Sequence, residues 1–122
     1  MSLKINVLGT EYAVNFYNYD DVPEFKKRSI DGFCDSVEKE IAICRIKTYP
    51  GFEDKSEEYC RKLEKQVLRH EIVHAFFNES GLQDSSLQIE GGWAKNEEMV
   101  DWIALQFPKM MQAMKEAECL EG

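Results

Sequence analysis

The residues best suited to chemistry in this sequence are two histidines and a glutamate. His70, Glu71 and His74 follow the order His-Glu-x-x-His, in a run from 55 to 80 that contains neither Pro nor Gly and is predicted to be helical. Because an α-helix turns once in about 3.6 residues, both imidazoles lie on one face and can bind one metal ion. Glu71 can then take a proton from water on that metal. The spacing predicts a zinc centre that activates water for hydrolysis.

A solvated helix face is the alternative interpretation of these residues. The chain has only 2 histidines, and both fall in this motif. They continue a helical stripe formed by Leu63, Val67 and Phe77, so their helix face is otherwise apolar. This placement favours a protected site over a solvated surface.

The third metal ligand is expected on a second helix. A catalytic zinc ion takes three protein ligands and a water molecule, and no histidine follows His74. Glu97 is the preferred carboxylate, because Glu97 and Asp101 are one helical turn apart and can face the first helix together. Asp101 can then accept a hydrogen bond from the outer N–H of a ligating histidine. Three other glutamates remain alternative ligands: Glu79, Glu90 and Glu98.

The order HEIVH followed by NEEMVD resembles the gluzincins, the thermolysin-type peptidases with HExxH followed by NExxxD. The sequence is especially similar to the small members from phages and mobile elements, the minigluzincins. The resemblance implies zinc-dependent peptide hydrolysis, with His70, His74 and Glu97 as metal ligands and Glu71 as general base. It also implies that Asp101 supports His70.

The resemblance covers 70–74 and 96–101 firmly, and the chain departs from the larger family members elsewhere. Those enzymes use a further histidine to stabilise the transition state, and this chain has none to spare. A tyrosine can supply such a hydrogen bond instead. The candidates are the 5 tyrosines: Tyr12, Tyr17, Tyr19, Tyr49 and Tyr59. We expect neither a C-terminal subdomain nor a propeptide, which argues against broad proteolysis.

The sequence predicts an α+β fold whose first half is a small, mostly antiparallel sheet. Alternating apolar residues on both sides of Gly9-Thr10 predict a β-hairpin. Two further extended segments, 32–35 and 40–46, are predicted to flank a turn at 36–39. An active-site helix and a second, ligand-bearing helix follow, which is consistent with a minimal zincin-like core.

The helix boundaries are predicted from caps and breakers. Asp54 and Glu57 form a candidate capping box before the first helix, and Gly81 is a suitable residue just after its end. A linker over 82–95 precedes Asn96, the predicted N-cap of the second helix. At Pro108 that helix either kinks or gives way to a new one. Several apolar residues in this region are expected in the core: Trp93, Trp102, Met110, Met111, Met114 and Ala117.

Composition limits the partners. The 122 residues suffice for one domain, 1–122, with one core. The net charge of −8, from 23 acidic and 15 basic residues, argues against nucleic acid as a partner. The basic cluster Lys26-Lys27-Arg28 is expected to be a solvated loop. No apolar run reaches about 18 residues, so we expect no membrane span.

The cysteines indicate a reducing compartment. None of the 4 cysteines belongs to a CxxC pair, which argues against a zinc ribbon. No secretion signal is evident, so we expect reduced thiols and a cytoplasmic location. Cys44 lies in an apolar run and is expected in the core. The sequence leaves the oligomeric state open.

These residues favour a metallopeptidase that acts on a peptide or protein substrate. The resemblance places the edge strand 32–35 above the cleft, where an extended substrate would add a strand. A narrower hypothesis is a regulatory peptidase, similar to the anti-repressor proteases of mobile elements, that cuts one partner at one site. The alternative from another class is a non-catalytic, metal-stabilised interaction domain, in which Glu71 has no chemical role.

Overall fold

The computed structural model describes residues 3–81 and 97–120, which form an α+β fold. The strands are β1 (Leu3–Val7), β2 (Thr10–Tyr17), β3 (Gly32–Asp35) and β4 (Glu40–Cys44). The helices are α1 (Pro23–Lys27), α2 (Glu57–Glu79) and α3 (Glu97–Glu116), with short 3-10 turns at Tyr19–Asp21 and Ile46–Thr48. Among the described residues, no helix combines the length and apolar character needed to cross a membrane.

The strands form one sheet in the order β1-β2-β4-β3. The pairs β1–β2 and β3–β4 are antiparallel, while the central pair β2–β4 is parallel. The prediction of a mostly antiparallel sheet is therefore confirmed for the two outer pairings. The parallel pair arises because the chain leaves β2, passes through α1 to the edge strand β3, and returns in β4. One side of β3 is left without a partner strand in the described part of the chain.

The core lies between the sheet and α2. On the central strand β4, Ile41, Ile43 and Cys44 are fully buried, as expected for a strand paired on both sides. The α2 residues Val67 and Ala75 pack in the same core cluster as Ile41 and Ile43 of β4. Burial of Cys44 agrees with the prediction from its apolar surroundings.

Gly32 allows α2 to lie close to β3. A Cβ atom on Gly32 would be only 2.7 Å from Val67 Cγ1 and 3.2 Å from the carbonyl oxygen of Ala42. Valine is branched at Cβ, so its methyl group cannot easily rotate away. Val67 precedes His70 and Glu71 by one turn, and the missing side chain at 32 therefore sets how near the histidine-bearing segment of α2 comes to β3.

The predicted N-cap residue of α2 is wrong. The N-cap is Ser56, whose Oγ accepts a hydrogen bond from the Tyr59 N–H at 3.1 Å. Asp54 instead lies in a turn closed by a hydrogen bond from Lys55 N to Phe52 O, at 3.1 Å. The other end agrees with the prediction, since α2 ends before Gly81, which has a positive φ of 84°.

Helix α3 is continuous through Pro108, so no new helix begins there. Its buried residues are Val100 and Ala104, and every described residue from 107 to 120 is exposed. The prediction that Trp102 and the Met stripe join the core is wrong, and the exposed residues include Trp102, Met110, Met111, Met114 and Ala117. The physical reason is that α3 packs on α2 only through its first turns. The predicted linker, Trp93 and the N-cap Asn96 lie outside the described residues.

Glu79 links the C-terminal end of α2 to the sheet through side-chain hydrogen bonds. Its carboxylate accepts hydrogen bonds from Lys39 Nζ at 2.8 Å, Tyr12 OH at 2.7 Å and Thr10 Oγ1 at 2.8 Å. These donors, the lysine first, lower the pKa of Glu79 to about 2. The charged form of this carboxylate is therefore a part of the folded structure.

We expect Glu79→Gln to reduce the free energy of unfolding by about 1–3 kcal/mol at neutral pH. The folded pKa is below the ordinary value of 4.5, so the carboxylate stabilises fully above that pH and loses this contribution as the pH falls toward 2. Urea unfolding of the wild-type protein and of Glu79→Gln should show that their difference in free energy of unfolding shrinks as the pH falls from 4.5 toward 2. Glu58→Gln, at an exposed helix position, is the control with little effect. A difference that stays constant with pH would contradict the assignment.

Candidate metal centre

Helices α2 and α3 bring the predicted ligand residues together. One turn apart on α2, His70 and His74 have ring centroids 4.9 Å apart. Glu97, in the first turn of α3, reaches both imidazoles. Its Oε2 lies 2.9 Å from His70 Nε2, and its Oε1 lies 3.0 Å from His74 Nε2. Three side chains from two helices thus point toward one position.

Glu97 contacts both imidazoles directly, and a small metal ion would need the same atoms only slightly further apart. Two ligand atoms about 2.0–2.1 Å from a tetrahedral zinc ion are about 3.3 Å from each other. The Glu97 oxygens lie 2.9, 3.0 and 3.3 Å from the facing imidazole nitrogens. The donors are two imidazole Nε2 atoms and a carboxylate, a set that leaves one tetrahedral position for water and suits Zn²⁺ and other first-row divalent ions.

Asp101 supports the ring of His70. Its Oδ1 lies 2.6 Å from His70 Nδ1, on the side of the imidazole away from Glu97. With its proton on Nδ1, the ring donates to Asp101 and keeps the Nε2 lone pair for a metal ion. The structure therefore brings together the carboxylate and histidine that the sequence paired.

Glu71 is the one buried charged side chain among the described residues, with 6% exposure. Its Oε2 lies 3.9 Å from His70 Nε2, and the candidate ligand atoms of His70, Glu71 and His74 lie within 4.8 Å of one another. Burial raises the pKa of Glu71 to about 7, against the opposing charge of His70. A divalent cation held beside it would favour the ionised carboxylate, the form that accepts a proton.

The burial of His74 favours the neutral imidazole, the form that binds a metal ion. Burial lowers the pKa of His74, although the carboxylate of Glu97 acts in the opposite direction. A neutral imidazole keeps the lone pair that binds a metal ion. Its environment therefore suits a ligand better than a permanently charged partner of Glu97.

The candidate centre opens into a cavity of about 760 Å³ between α2 and β3. Facing the histidines, the opposite wall comes from the segment between α1 and the middle of β3: Arg28, Ile30, Asp31, Gly32, Phe33 and Cys34. Since β3 is the edge strand, its backbone borders the cavity with one side unpaired in the described part of the chain.

Two charged residues of this wall were not identified as site residues from the sequence. Asp31 lies at the start of β3, where its carbonyl accepts a hydrogen bond from Cys44 N at 2.8 Å, and burial raises the pKa of its carboxyl group. Arg28 follows α1 and lines the cavity, while Lys26 and Lys27 belong to that helix. The prediction that this basic cluster is solvated agrees with the exposure of all three residues, but Lys26 and Lys27 belong to a helix and not to a loop. No local spacing signals either residue, because the sheet order brings them to the site.

The alternative ligands are placed differently. Glu79 is engaged by Thr10, Tyr12 and Lys39, so the prediction that it is a candidate ligand is wrong. Glu98 is exposed and contacts neither histidine by a hydrogen bond or ion pair that the structure describes. Glu90 lies outside the described residues.

None of the 5 tyrosines lines the cavity. Tyr12 donates to Glu79, and Tyr17 donates to Glu40. The ring of Tyr49 packs edge-on against Tyr19, with centroids 4.9 Å apart. In the described structure, the tyrosines therefore serve packing and hydrogen bonding elsewhere.

Comparisons with protein-family models, with curated proteins and with solved structures found no match to this chain. The similarity to gluzincins therefore stays a prediction that rests on the residues of the two motifs. What the site can do chemically is argued below from its own geometry.

Proposed function

We propose that this protein is a zinc-dependent metallopeptidase of the gluzincin type. The observation that carries the proposal is the convergence of His70 Nε2, His74 Nε2 and the Glu97 carboxylate beside the buried Glu71. Burying a carboxylate without a full set of partners costs free energy. A metal site that only stabilises the fold has no use for such a group, whereas hydrolysis requires a base next to the open metal position.

A few side chains carry out the proposed hydrolysis. When bound here, zinc supplies positive charge that polarises the scissile carbonyl and lowers the pKa of water. Glu71 takes a proton from the attacking water as the C–O bond forms, and returns it to the amine as the C–N bond breaks. Asp101 fixes the orientation of His70 through the 2.6 Å contact.

The substrate we propose is an extended stretch of a peptide or protein chain. The unpaired side of β3 borders the cavity, and a strand added there would carry its scissile bond past the histidines. Main-chain hydrogen bonds would give affinity, and the walls of the cavity would give selectivity. The net charge of −8 disfavours nucleic acid as a partner.

We further propose a selective regulatory role in a cytoplasm, such as cleavage of one partner at one site. Helices α2 and α3, strand β3 and the segment before it line the cavity, and a protein substrate can supply further walls. The 4 cysteines are all free thiols, which suits a reducing compartment.

A second candidate function is a metal-stabilised interaction domain without catalysis. The observation that favours it is the exposed apolar surface of α3, where Trp102 is 58% and Phe107 50% exposed. Here the metal would only hold α3 against α2, and a partner would cover the exposed side chains. Glu71 would then be dispensable for function.

Metal removal tests the proposed function against this alternative. Zinc-loaded protein is incubated with an unbiased peptide mixture, and new termini are identified by mass spectrometry. We expect one zinc ion per chain, cleavage that stops on chelation, and recovery on adding zinc but not magnesium. One zinc per chain without any cleavage, in this mixture and in an extract of a cell that harbours the gene, would favour the interaction domain.

A further inference from the structure

Arg28 is the one Lys or Arg residue among the described residues that line the cavity. It is the C-cap residue of α1, and its N–H bonds to carbonyl oxygens of Glu24 and Lys26. Phe25 anchors the same short helix, since it is fully buried with its ring centroid 6.0 Å from that of Phe33 on β3. The backbone that carries Arg28 is therefore fixed, while its side chain is exposed.

Arg28 lines the cavity together with His70, Glu71 and His74 of the candidate centre. It forms no salt bridge with a carboxylate in the described ranges 3–81 and 97–120. Glu97 and Asp101, by contrast, are engaged by the histidines. Within the described part of the chain, Arg28 is thus the cation of this wall that has no carboxylate partner.

Arg28 also lies where a bound chain would pass. A second cavity of about 730 Å³ shares Arg28, Phe33 and Cys34 with the first. An extended chain beside β3 would span both cavities and would meet the guanidinium at their junction. Strand residues advance by about 3.3 Å each, so a few residues of substrate suffice to cross it.

The other donors of the lining are poorly suited to negative charge. His70 and His74 direct Nε2 toward the metal position, and no tyrosine lines this cavity. Tyr17 lines the second cavity, where its hydroxyl donates to Glu40. Burial raises the pKa of Cys34 to about 12, so its thiol stays neutral. Gln66 can donate from a neutral amide, but a guanidinium donates two charge-assisted hydrogen bonds in a planar fork.

We propose that Arg28 binds an anionic oxygen of the bound substrate. The proposal rests on the proposed peptidase function and assigns the charge-stabilising group that the tyrosines do not provide. Two sources present this chemistry: the oxyanion that forms on the attacked carbonyl, and a substrate carboxylate, at a C-terminus or on a side chain. A guanidinium binds either one.

The test compares Arg28→Gln and Arg28→Lys with Lys27→Gln, a control that removes the neighbouring exposed charge on α1 outside both cavity linings. All are zinc-loaded, with zinc content as the check that the centre persists. The first probe is a phosphonate analogue of a short peptide with both ends blocked, and its affinity is measured by calorimetry. We expect Arg28→Gln to weaken binding about 10- to 100-fold, Arg28→Lys to restore part of it, and Lys27→Gln to change little.

Turnover of two peptides separates the sources. If Arg28 binds the oxyanion, Arg28→Gln lowers kcat for a fully blocked peptide and leaves KM nearly unchanged. If it binds a carboxylate, the substitution raises KM only for the peptide that carries one. Equal phosphonate affinities, together with unchanged turnover of both peptides, would overturn the proposal.

Failure of the proposed function gives a different result. A zinc-loaded wild-type protein that cuts no peptide would contradict the peptidase. In that protein, weaker binding by Arg28→Gln of either the phosphonate or a peptide that carries a carboxylate would still establish the anion site, and equal binding of both would remove it. The two proposals are therefore tested separately.

Discussion

Glu71→Gln should abolish peptide hydrolysis and leave the zinc content unchanged. The amide has almost the same shape as the carboxylate, but it cannot accept the proton of the attacking water. General base catalysis typically contributes about 10²- to 10⁴-fold, so we expect kcat to fall by at least that range. The measurement is cleavage of a peptide identified with the wild-type protein, with zinc per chain determined in the same samples.

The variant should remain folded, because the site already disfavours a charge at this position. Glu71 is 6% exposed, and its pKa is raised to about 7 by burial. A neutral amide is therefore tolerated in the zinc-free protein, and its thermal midpoint should match that of the wild type or exceed it. Glu58→Gln, on the exposed side of α2, is the control for removing one acid from the helix. Wild-type rates in Glu71→Gln would rule out the mechanism.

Local spacing made the two motifs of the centre predictable. The pairs His70–His74 and Glu97–Asp101 each span one helical turn, and a helix fixes such neighbours before any tertiary contact forms. That the two pairs meet depends on how α3 packs on α2. The sequence indicated this meeting only through the resemblance to a known order of motifs.

The opposite wall of the cavity was not predictable in this way. Arg28 and Asp31 reach the site because β3 is placed at the sheet edge, next to α2. This placement depends on the parallel pairing of β2 with β4, a contact between distant parts of the chain. Neither residue stands in a periodic pattern or a fixed spacing from the histidines, so sequence alone treated Arg28 as part of a solvated basic cluster.

Two other errors have simple physical causes. Apolar periodicity in α3 predicted burial of Met110 and Met114, but periodicity states only which residues share a face, not whether another element covers it. The cap at Asp54 failed because Ser56 offers an oxygen to the free N–H of Tyr59, while a turn holds the preceding residues. In both cases the outcome depends on which group actually makes the contact. A pattern of residue types does not show this.

Glu97→Ala should remove zinc, and Glu98→Ala should not. The two residues are adjacent acids in the first turn of α3, where either one interacts favourably with the helix dipole. Only Glu97 contacts the imidazoles of His70 and His74, at 2.9 and 3.0 Å. Loss of a ligand should weaken zinc affinity by more than about 100-fold, since even partners that merely support ligands contribute about 10- to 100-fold.

The comparison measures zinc per chain after dialysis, and affinity by competition with a chromophoric chelator. Both variants lose one negative charge from the same helical turn, so a purely electrostatic attraction of zinc would weaken equally in the two. If only Glu98→Ala loses zinc, Glu98 is the third ligand, and α3 must then be rotated about its axis. If only Glu97→Ala loses zinc, Glu97 is the third ligand. If added zinc also no longer raises the thermal stability of this variant, metal binding is coupled to the packing of α3 on α2.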